Sequence, residues 1–438
     1  MKRTKKIYIF MLGIIFGFGA TFLGFYYVYS NNLNGETSML IGTNDMIKDI
    51  KTRLSQINIG YDKDKSYKNN VDINSNENYE RFKEIWDILD DKYYYQEDLD
   101  YDKMMESAIK SFVEATGDPY SVYLPEDQNK SFQEGLEGSQ DFEGIGAVVS
   151  KRQDGVLIEE VIQGAPAFNS GMKPMDIILE INGEPTKDLS LSEAVENIRG
   201  PKGTEVNLRI LRTIDGDREF IDLEVIRDEV NVPSVRGDIK TENGYDVGYI
   251  KISIFGEDTE KALKEVIKNF ENSNIDGIVV DLRGNGGGFL PMAVSIASYF
   301  LPEGETVVKT KYKDLPSEDY TSYGYMDLQN LPVVVLVDEL SASASEIIAA
   351  ALREGIGAKL VGNKTFGKGS IQTLNDFDDN SSLKYTIGAW YTPSGKTVDK
   401  EGLEPDYEID LDVELYQEEN TDTQLQKALD VLKEMIGN

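Results

Sequence analysis

The chain has 438 residues, of which 40% are apolar, and its 45 basic against 78 acidic side chains give a formal net charge of −33. This charge argues against nucleic acid as a partner, because the phosphate backbone attracts basic proteins. The chain has no histidine and no cysteine, which excludes a Ser-His-Asp triad, a cysteine nucleophile and the usual zinc ligand sets. We therefore expect neither a metal nor a cofactor.

The N-terminal segment has the pattern of a membrane anchor. Residues 1–6 contain Lys2, Arg3, Lys5 and Lys6, and an uncharged run from Ile7 to Tyr29 follows. As a helix, this run would measure about 35 Å, enough for a hydrocarbon core of about 30 Å. The positive-inside rule keeps residues 1–6 in the cytoplasm and predicts a single-pass membrane protein whose remainder is extracytoplasmic. A cleaved signal peptide is the alternative, although no A-x-A site is apparent.

The next two segments are predicted to be a tether and a helical region. Residues 30–78 are rich in Asn, Lys, Asp and Ser, which favours a tether with at most a short helix. In residues 79–137, apolar side chains recur at helical spacing and predict two helices. These apolar stripes favour a core or the surface of a homodimer.

Residues 138–229 read as short alternating strands separated by glycine turns. The strands are predicted at 145–149, 156–161, 176–181, 205–211 and 219–225, with a helix near 191–199. From residue 230 to 415 strands and helices alternate, which predicts an α/β core. Residues 416–438 form a last amphipathic helix, which is predicted to pack on the N-terminal pair of helices or on a second subunit.

A glycine-rich loop follows the strand predicted at 278–282. Its sequence is Gly284-Asn285-Gly286-Gly287-Gly288, and such a loop exposes backbone N–H groups that can bind an oxyanion. A plain strand-to-helix turn and a phosphate cradle are the alternatives. The glycine spacing does not match G-x-G-x-x-G, which disfavours the phosphate cradle.

Ser343 and Lys368 are the candidate nucleophile and base. Small residues surround both of them, and a lysine can take a proton from a serine hydroxyl when burial lowers its pKa toward about 7–8. Two plainer interpretations stay open. Ser343 and Glu346 also form a capping-box pattern before an apolar run, and most lysines are solvated surface charges.

Four segments resemble those of the carboxyl-terminal processing proteases, also called tail-specific proteases, of serine peptidase family S41. They are D-P-Y-S-V-Y-L at 118–124, D-L-R-G-N-G-G-G at 281–288, S-A-S-A-S-E at 341–346 and F-G-K-G-S-I-Q at 366–372. The resemblance implies that Ser343 is the nucleophile and Lys368 the general base, with Gln372 and Glu346 orienting the lysine. It also implies an oxyanion hole formed by the amide of Ala344 and that of Gly287 or Gly288.

Residues 138–229 resemble a PDZ domain, which captures a free C-terminus by strand addition. The resemblance makes Gly144, Ile145 and Gly146 the carboxylate-binding loop, and Val195 lines the groove. Met175 departs from the pattern, since a glycine usually stands there. Arg199 and Lys202 have three open roles: binding the substrate carboxylate, latching the domain to the core, or solvated surface charge.

The sequence thus predicts an α/β protein with an N-terminal helical region and a transmembrane helix, and the resemblances imply a crotonase-like or ClpP-like protease core with an inserted PDZ domain. The predicted function is that of a membrane-anchored serine endopeptidase whose protein substrates end in free, apolar C-termini. A catalytically silent PDZ scaffold of the cell envelope is the alternative. A crotonase-like acyl-CoA enzyme is a third reading, which leaves the export signal and the PDZ domain unexplained.

Overall fold

The computed structural model describes residues 8–10, 25–27, 76–135, 140–152, 154–162, 164–214, 217–242, 244–271, 273–313, 315–325, 327–419 and 421–437. These residues form two compact units. One contains the described parts of Lys130–Thr373 and Thr386–Asn438 and the two short strands near the N-terminus; the other contains those of Thr37–Asn129 and Leu374–Tyr385. All the predicted site residues belong to the first unit.

Near the N-terminus the structure has two paired strands where the sequence predicts a helix. β1 (Tyr8–Phe10) and β2 (Phe25–Tyr27) pair antiparallel; aromatic and β-branched residues such as these suit a strand. The rest of the predicted Ile7 to Tyr29 helix lies outside the described residues, as does the tether up to residue 75. Among the helices that the structure describes, none combines the length and the apolar character of a membrane span.

The second unit begins with two helices. α1 (Glu77–Lys92) and α2 (Tyr101–Glu114) start after Asn76 and Asp100, whose side chains accept hydrogen bonds from first-turn amides at 2.9 and 3.0 Å. Such caps satisfy amides that have no partner within the helix. α1 buries none of its residues, and α2 buries Val113. The apolar stripes seen in the sequence therefore remain largely exposed on these two helices.

The same unit contains a short strand and a buried lysine. β3 (Val122–Leu124) pairs antiparallel with Ser382–Lys384, and Lys384 lies opposite Val122. Lys384 is fully buried. Burial lowers the pKa of Lys384 to about 7, against a smaller opposing effect of Asp118. This side chain therefore changes charge near neutral pH.

The strand-rich region lies where the sequence predicts it. Its elements, after α3 (Glu126–Glu134), are β4 (Gln140–Gly144), β5 (Ala147–Lys151), β6 (Val156–Val161), α4 (Pro166–Asn169), β7 (Ile177–Ile181), β8 (Glu184–Pro185), α5 (Leu191–Ile198), β9 (Glu205–Ile214), β10 (Asp217–Ile226) and β11 (Asp228–Val232). The sheet has the order β10-β9-β7-β6-β5, which leaves β5 at an edge, and β8 pairs with β7. β4 and β11 form a separate antiparallel ribbon.

Met175 adopts the backbone conformation that its position requires. Its φ is 69°, in the left-handed region where an L-residue other than glycine loses roughly 1–2 kcal/mol. Its amide donates to Ile158 O at 2.7 Å, which closes the turn before β7. The glycine usual at this position in PDZ domains would make the same turn without that strain.

The remaining elements build the α/β part of the first unit. They are β12 (Val235–Glu242), β13 (Tyr245–Ile252), α6 (Thr259–Glu271), β14 (Gly277–Asp281), α7 (Leu290–Ala297), β15 (Thr306–Tyr312), β16 (Glu318–Thr321), β17 (Val333–Val337), α8 (Ala344–Ile356), β18 (Lys359–Gly362), β19 (Ser370–Asp376), β20 (Ser382–Tyr391), β21 (Tyr407–Glu408), α9 (Val413–Glu419) and α10 (Thr423–Ile436). The main sheet has the order β12-β13-β14-β17-β18-β21. It is parallel from β13 onward, with β12 added antiparallel at one edge.

A second sheet has the strand order β16-β15-β20-β19, and the sequence analysis predicted none of these four strands. Its pairs β15–β16 and β15–β20 are antiparallel. Sequence periodicity missed these strands because many of them mix polar and apolar residues without clean alternation, as Ser370–Asp376 does. This sheet matters because β19 and β20 carry part of the candidate site.

The C-terminal helix packs on the parallel sheet. Ala428, Val431 and Leu432 of α10 share a buried cluster with Val279 and Leu336 of the sheet. A Cβ added to Gly277 in β14 would lie 3.0 Å from Leu432 Cδ1. The prediction that this helix covers the N-terminal pair or a second subunit is therefore wrong, because the apolar face of α10 is already buried within its own unit.

Candidate active site

Ser343 occupies a strained turn between β17 and α8. Its backbone has φ 58° and ψ −113°, a conformation that costs a non-glycine residue about 1–3 kcal/mol. The side chain is fully buried, and its Oγ has no hydrogen-bond partner among the described residues. Ser343 is the N-cap residue of α8, and its amide donates to the Glu346 carboxylate as in the predicted capping box, so the plainer interpretation and the role of a nucleophile are compatible. A buried hydroxyl without a partner at a strained residue is typical of functional sites.

The glycine-rich loop after β14 lies directly against Ser343. Gly287 has φ 110°, and a Cβ added there would lie 2.9 Å from Ser343 Cβ and 3.0 Å from the Ala344 amide nitrogen. Gly288 has φ 143° and approaches Phe255, whose carbonyl oxygen would lie 2.4 Å from an added Cβ. Both positions thus need glycine, because the loop backbone packs on other backbone.

Asn285 ties this loop to the serine segment. Its Nδ2 donates to Ile252 O at 2.8 Å, and its backbone oxygen accepts from Ala342 N at 3.1 Å and from Ser345 Oγ at 2.8 Å. Ser341 adds a second tie, since its Oγ donates to Leu282 O at 2.9 Å. These contacts connect the carboxyl end of β14 to the start of α8.

The backbone amides of the loop differ in what they bind. The Gly287 amide donates to Asn285 Oδ1 at 2.8 Å. The amides of Gly288 and Ala344 have no acceptor among the described residues. Of the two glycines that the sequence left open, Gly288 is therefore the one whose amide is available together with that of Ala344.

Lys368 is fully buried and reaches Gln372. Its Nζ donates to Gln372 Oε1 at 2.6 Å. The amide nitrogen of Gln372 donates to Ser370 Oγ at 2.9 Å and to Thr386 Oγ1 at 3.0 Å. The interpretation of Lys368 as a solvated surface charge is wrong, and the predicted contact between Gln372 and Lys368 is present.

Glu346 joins the serine and lysine segments. Its Oε2 accepts from the Ser343 amide at 2.8 Å and from the Lys368 amide at 2.9 Å. Its Oε1 accepts from Thr365 Oγ1 at 2.6 Å and from the Gly367 amide at 2.7 Å. Burial raises the pKa of Glu346, although these hydrogen bonds act in the opposite direction. One carboxylate oxygen thus brings both candidate residues together through their backbones.

Two residues of this hydrogen-bond network were not anticipated from the sequence. Trp390 is fully buried; its indole nitrogen donates to Lys368 O at 2.7 Å, and its amide donates to Gly369 O at 2.8 Å. Thr365, besides contacting Glu346, accepts from the Leu403 amide at 2.7 Å. No local pattern identifies such residues, because their contacts join segments that are distant in sequence.

A buried ion-pair cluster supports the loop from the other side. Arg283 contacts Asp281 at 2.6 Å and Asp422, at the start of α10, at 2.7 Å. Burial would raise the pKa of Asp281, but the charges of Arg283 and Lys251 outweigh it and hold this pKa well below its usual range. The motif D-L-R therefore anchors the strand before the loop to the C-terminal helix.

The predicted carboxylate-binding loop lies beside an open sheet edge. Gly144 ends β4, Gly146 has φ 76°, and edge strand β5 begins at the next residue. The amides of Ile145 and Gly146 have no acceptor among the described residues. Val195 lies on α5, which shares a buried cluster with β5. An edge strand, free amides and a nearby helix are what strand addition to a PDZ domain requires.

The two cations considered for this region have different surroundings. Lys202 pairs with Asp228 at 2.6 Å, and that contact raises the pKa of Lys202. This exposed ion pair with β11 leaves open the three roles considered for Lys202. Arg199 is exposed at the end of α5, where its amide donates to Val195 O at 2.8 Å.

Comparisons with protein families cover most of the chain. The model for peptidase family S41 matches residues 246–409, and that for the PDZ domain matches residues 135–211. The model named activating protease CtpB N-terminal domain matches residues 16–128. The matches to the two models that are named for proteases thus lie on either side of the match to the PDZ domain.

Two bacterial proteins that are described as CtpA or CtpA-like proteases are similar to this chain over most of its length. The carboxy-terminal processing protease CtpA of Bacillus subtilis (strain 168) is 39% identical over 318 residues, which cover 73% of this chain and 66% of that protein. The probable CtpA-like serine protease of Staphylococcus aureus (strain COL) is 38% identical over 334 residues, which cover 76% of this chain and 65% of that protein. The matches thus span about two thirds of the length of these relatives.

Solved structures support the fold alone, since their sequence identities are low. The photosystem II D1 C-terminal processing protease has a TM-score of 0.55 at 24% identity, over 77% of this chain and 89% of that chain. A putative S41 protease from Bacteroides fragilis has a TM-score of 0.54 at 19% identity, over 80% and 96%. With its mixed α/β protease fold and PDZ domain, the chain belongs to the carboxyl-terminal processing proteases of peptidase family S41.

Proposed function

We propose that this protein is an extracytoplasmic serine endopeptidase that cleaves with Ser343 as nucleophile and Lys368 as general base. The observation that carries the proposal is the Glu346 oxygen that binds the backbone amides of both residues, at 2.8 and 2.9 Å. The buried, unpartnered hydroxyl of Ser343 adds support, because such a group is costly unless it has a use.

The chemistry follows from these assignments. Neutral Lys368 takes the proton of Ser343 Oγ while that oxygen bonds to the carbonyl carbon of the scissile peptide. The amides of Ala344 and Gly288 stabilise the resulting oxyanion. The lysine ammonium then protonates the leaving amine as the C–N bond breaks, which leaves an acyl-enzyme. Water hydrolyses the acyl-enzyme with Lys368 again acting as the base.

A serine-directed fluorophosphonate probe tests this function on the full-length chain. We expect labelling of the parent, loss of labelling in Ser343→Ala, and parental labelling in Ser394→Ala, which removes an exposed hydroxyl outside the site. Binding of C-terminal peptides without Ser343-dependent labelling or cleavage would favour the silent scaffold. Turnover of an acyl-CoA without peptide cleavage would favour the crotonase-like alternative.

We also propose that the PDZ domain selects substrates by their free C-terminus. The unpartnered amides of Ile145 and Gly146 suit a carboxylate, and the edge strand β5 and Val195 suit an extended tail with an apolar last residue. Arg199 is a candidate second ligand for the carboxylate, because it is exposed at the end of α5.

Amidation of a substrate's C-terminus should therefore reduce cleavage by about tenfold or more, since it removes a charged acceptor worth about 1.5–3 kcal/mol. Matched free-acid and amidated peptides of one sequence provide the measurement, with kcat/KM as the readout. If both peptides are cut equally fast, the carboxylate is not recognised, whatever the role of Ser343.

Two proposals concern attachment and assembly. A membrane anchor is supported by the cations of residues 1–6 and the uncharged run from Ile7 to Tyr29. A homodimer is supported by the exposed apolar side chains of α1 and α2, which include Phe82, Ile85 and Phe112. The full-length chain should fractionate with membranes, keep its N-terminal residues on sequencing, and sediment in detergent as a dimer. Release from membranes with an N-terminus near residue 30 would contradict the anchor, and a sedimenting monomer would contradict the dimer.

A further inference from the structure

Two carboxylates bind Arg283, the residue that directly precedes the glycine-rich loop. Its Nε and Nη2 donate to Asp281 Oδ1 and Oδ2 at 3.0 and 2.6 Å. Its Nη1 and Nη2 donate to Asp422 Oδ1 and Oδ2 at 3.0 and 2.7 Å. Paired contacts between a guanidinium and a carboxylate fix the geometry of both groups. Because Asp422 is the N-cap of α10, these contacts join the C-terminal helix to the start of the loop.

Asp281 couples the Arg283 side chain to the backbone of the loop. Its Oδ1 accepts from the Arg283 backbone amide as well as from Nε, both at 3.0 Å. The next amide, that of Gly284, donates to Asp338 Oδ2 at 2.9 Å. A shift of the guanidinium would therefore displace a carboxylate that holds the start of the loop. The same loop carries Gly288, whose amide is the candidate oxyanion donor.

Asp422 binds its own helix and Arg283 with one carboxylate. Its Oδ1 accepts from the Leu425 amide at 2.9 Å, which caps α10, and also from Arg283. Its Oδ2 contacts only Arg283 among the described residues. Gln424 is a further acceptor for Arg283 Nη1, at 3.0 Å, and its Nε2 donates to Ile409 O at 2.8 Å. The first turn of α10 therefore has contacts of its own and offers Arg283 a fixed support.

We propose that Asp422 is a positioning residue for peptide cleavage, which acts through Arg283 to hold the loop that carries the Gly288 amide. The inference rests on the proposed function, because that function assigns this amide to the oxyanion. It predicts more than a contribution to folding. Without the Asp422 carboxylate, the folded enzyme should bind its substrate normally and stabilise the transition state poorly.

Asp422→Asn in the full-length chain is the smallest change that tests this role. The Leu425 amide and Arg283 Nη1 both donate to Oδ1, so the asparagine oxygen stays there and its nitrogen replaces Oδ2. That nitrogen and Arg283 Nη2 are both donors, so the guanidinium must move. We expect kcat to fall about 10- to 100-fold with little change in KM. Asp422→Ser, which also keeps a cap for α10 and removes the carboxylate, should show a similar loss.

The matched control is Asp412→Asn. Asp412 is exposed, and its Oδ1 accepts from the Leu415 amide at 3.1 Å at the start of α9. It therefore caps a helix as Asp422 does, but its described contacts include no arginine. Asparagine is as good a cap as aspartate, so this variant should have the kcat of the parent.

A peptide boronate gives a readout that a loss of stability alone does not move. The serine oxygen bonds to the boron, and a boronate oxygen takes the place of the oxyanion, so the inhibition constant reports on the oxyanion hole. In Asp422→Asn this constant should rise by about the factor by which kcat falls. In an Arg283→Gln background, Asp422→Asn should change the constant by about twofold at most, because its contact is already absent.

Four results would overturn the inference: parental kcat in both Asp422 variants, an equal loss in Asp412→Asn, a loss of kcat with unchanged boronate affinity, or a full additional loss in the Arg283→Gln background. Ser343→Ala is measured alongside to separate this inference from the proposed function. Cleavage retained in Ser343→Ala refutes the nucleophile and the inference with it. An inactive Ser343→Ala beside fully active Asp422 variants refutes the positioning role alone.

Discussion

Replacing Lys368 by arginine should lower kcat/KM for peptide cleavage by about 10³-fold, within the range expected for removing a general base. Arginine keeps a positive charge but does not release its proton at accessible pH, so it cannot accept the proton of Ser343. Lys368 is fully buried and contacts Gln372 at 2.6 Å, so the larger guanidinium also strains its surroundings. Lys368→Met, which keeps the length and is uncharged, separates the two effects and should be equally inactive.

The matched control for this prediction is Lys364→Met. Lys364 precedes the same turn, but its side chain is 50% exposed and pairs with Glu404 at 2.6 Å. A surface pair of this kind contributes little to stability, so the control should keep nearly full activity and an unchanged melting temperature. In the parent, activity should rise with pH, because only the neutral amine acts as a base. Comparable activity in Lys368→Arg, or full activity far into the acidic range, would remove Lys368 from the mechanism.

The parts of the fold that the sequence predicted are those with local signals. Val333–Val337 is an uninterrupted apolar run, and the structure makes it a fully buried strand of the parallel sheet. The helix after it begins at Ala344, where the small residues and Glu346 indicate a helix start. The short strands of the PDZ domain were also predictable, because glycine turns separate them and their apolar residues alternate.

The parts that the sequence did not predict depend on pairing between distant residues. β4 and β11 form a ribbon by pairing residues that are distant in sequence, such as Gly144 and Asp228. The sequence showed that α10 has an apolar face. No pattern within the helix indicated that this face would pack on Val279 and Leu336.

In the candidate site too, residues with a local motif were predicted and contacts between distant segments were not. Ser343, Lys368 and Gln372 were identified from motifs, and the structure groups their segments. The use of Glu346 was only partly foreseen: it was expected to orient the lysine side chain, whereas its described contacts go to the backbone amides of Ser343 and Lys368 and to Thr365 and Gly367. A carboxylate that accepts from amides of two distant chain segments leaves no local signal in the sequence beyond its spacing from Ser343.

Gly287→Ala should nearly abolish activity while leaving a folded protein. The added Cβ would lie 2.9 Å from Ala342 O and from Ser343 Cβ, and 3.0 Å from the Ala344 amide nitrogen. These neighbours belong to the strained serine turn and the start of α8, so they cannot swing aside as the end of a side chain would. A φ of 110° adds strain of roughly 1–3 kcal/mol for alanine. Displacing the nucleophile or an oxyanion donor by a fraction of an ångström should lower kcat/KM by about 10²- to 10³-fold.

The same loop supplies the control, Gly284→Ala. Gly284 also has a left-handed φ, 69°, but an added Cβ there would meet nothing within 4 Å. We expect a loss of about 1 kcal/mol of stability from the backbone strain alone, with most of the activity retained. Fluorophosphonate labelling and thermal unfolding of the two variants, measured side by side, distinguish a displaced site from a destabilised fold. If Gly287→Ala labels and cleaves as fast as Gly284→Ala, the close packing of this loop on Ser343 is not needed for the reaction. If instead only Gly287→Ala is inactive at a temperature where both are folded, the loss comes from the position of the serine turn, because the Gly287 amide already donates to Asn285.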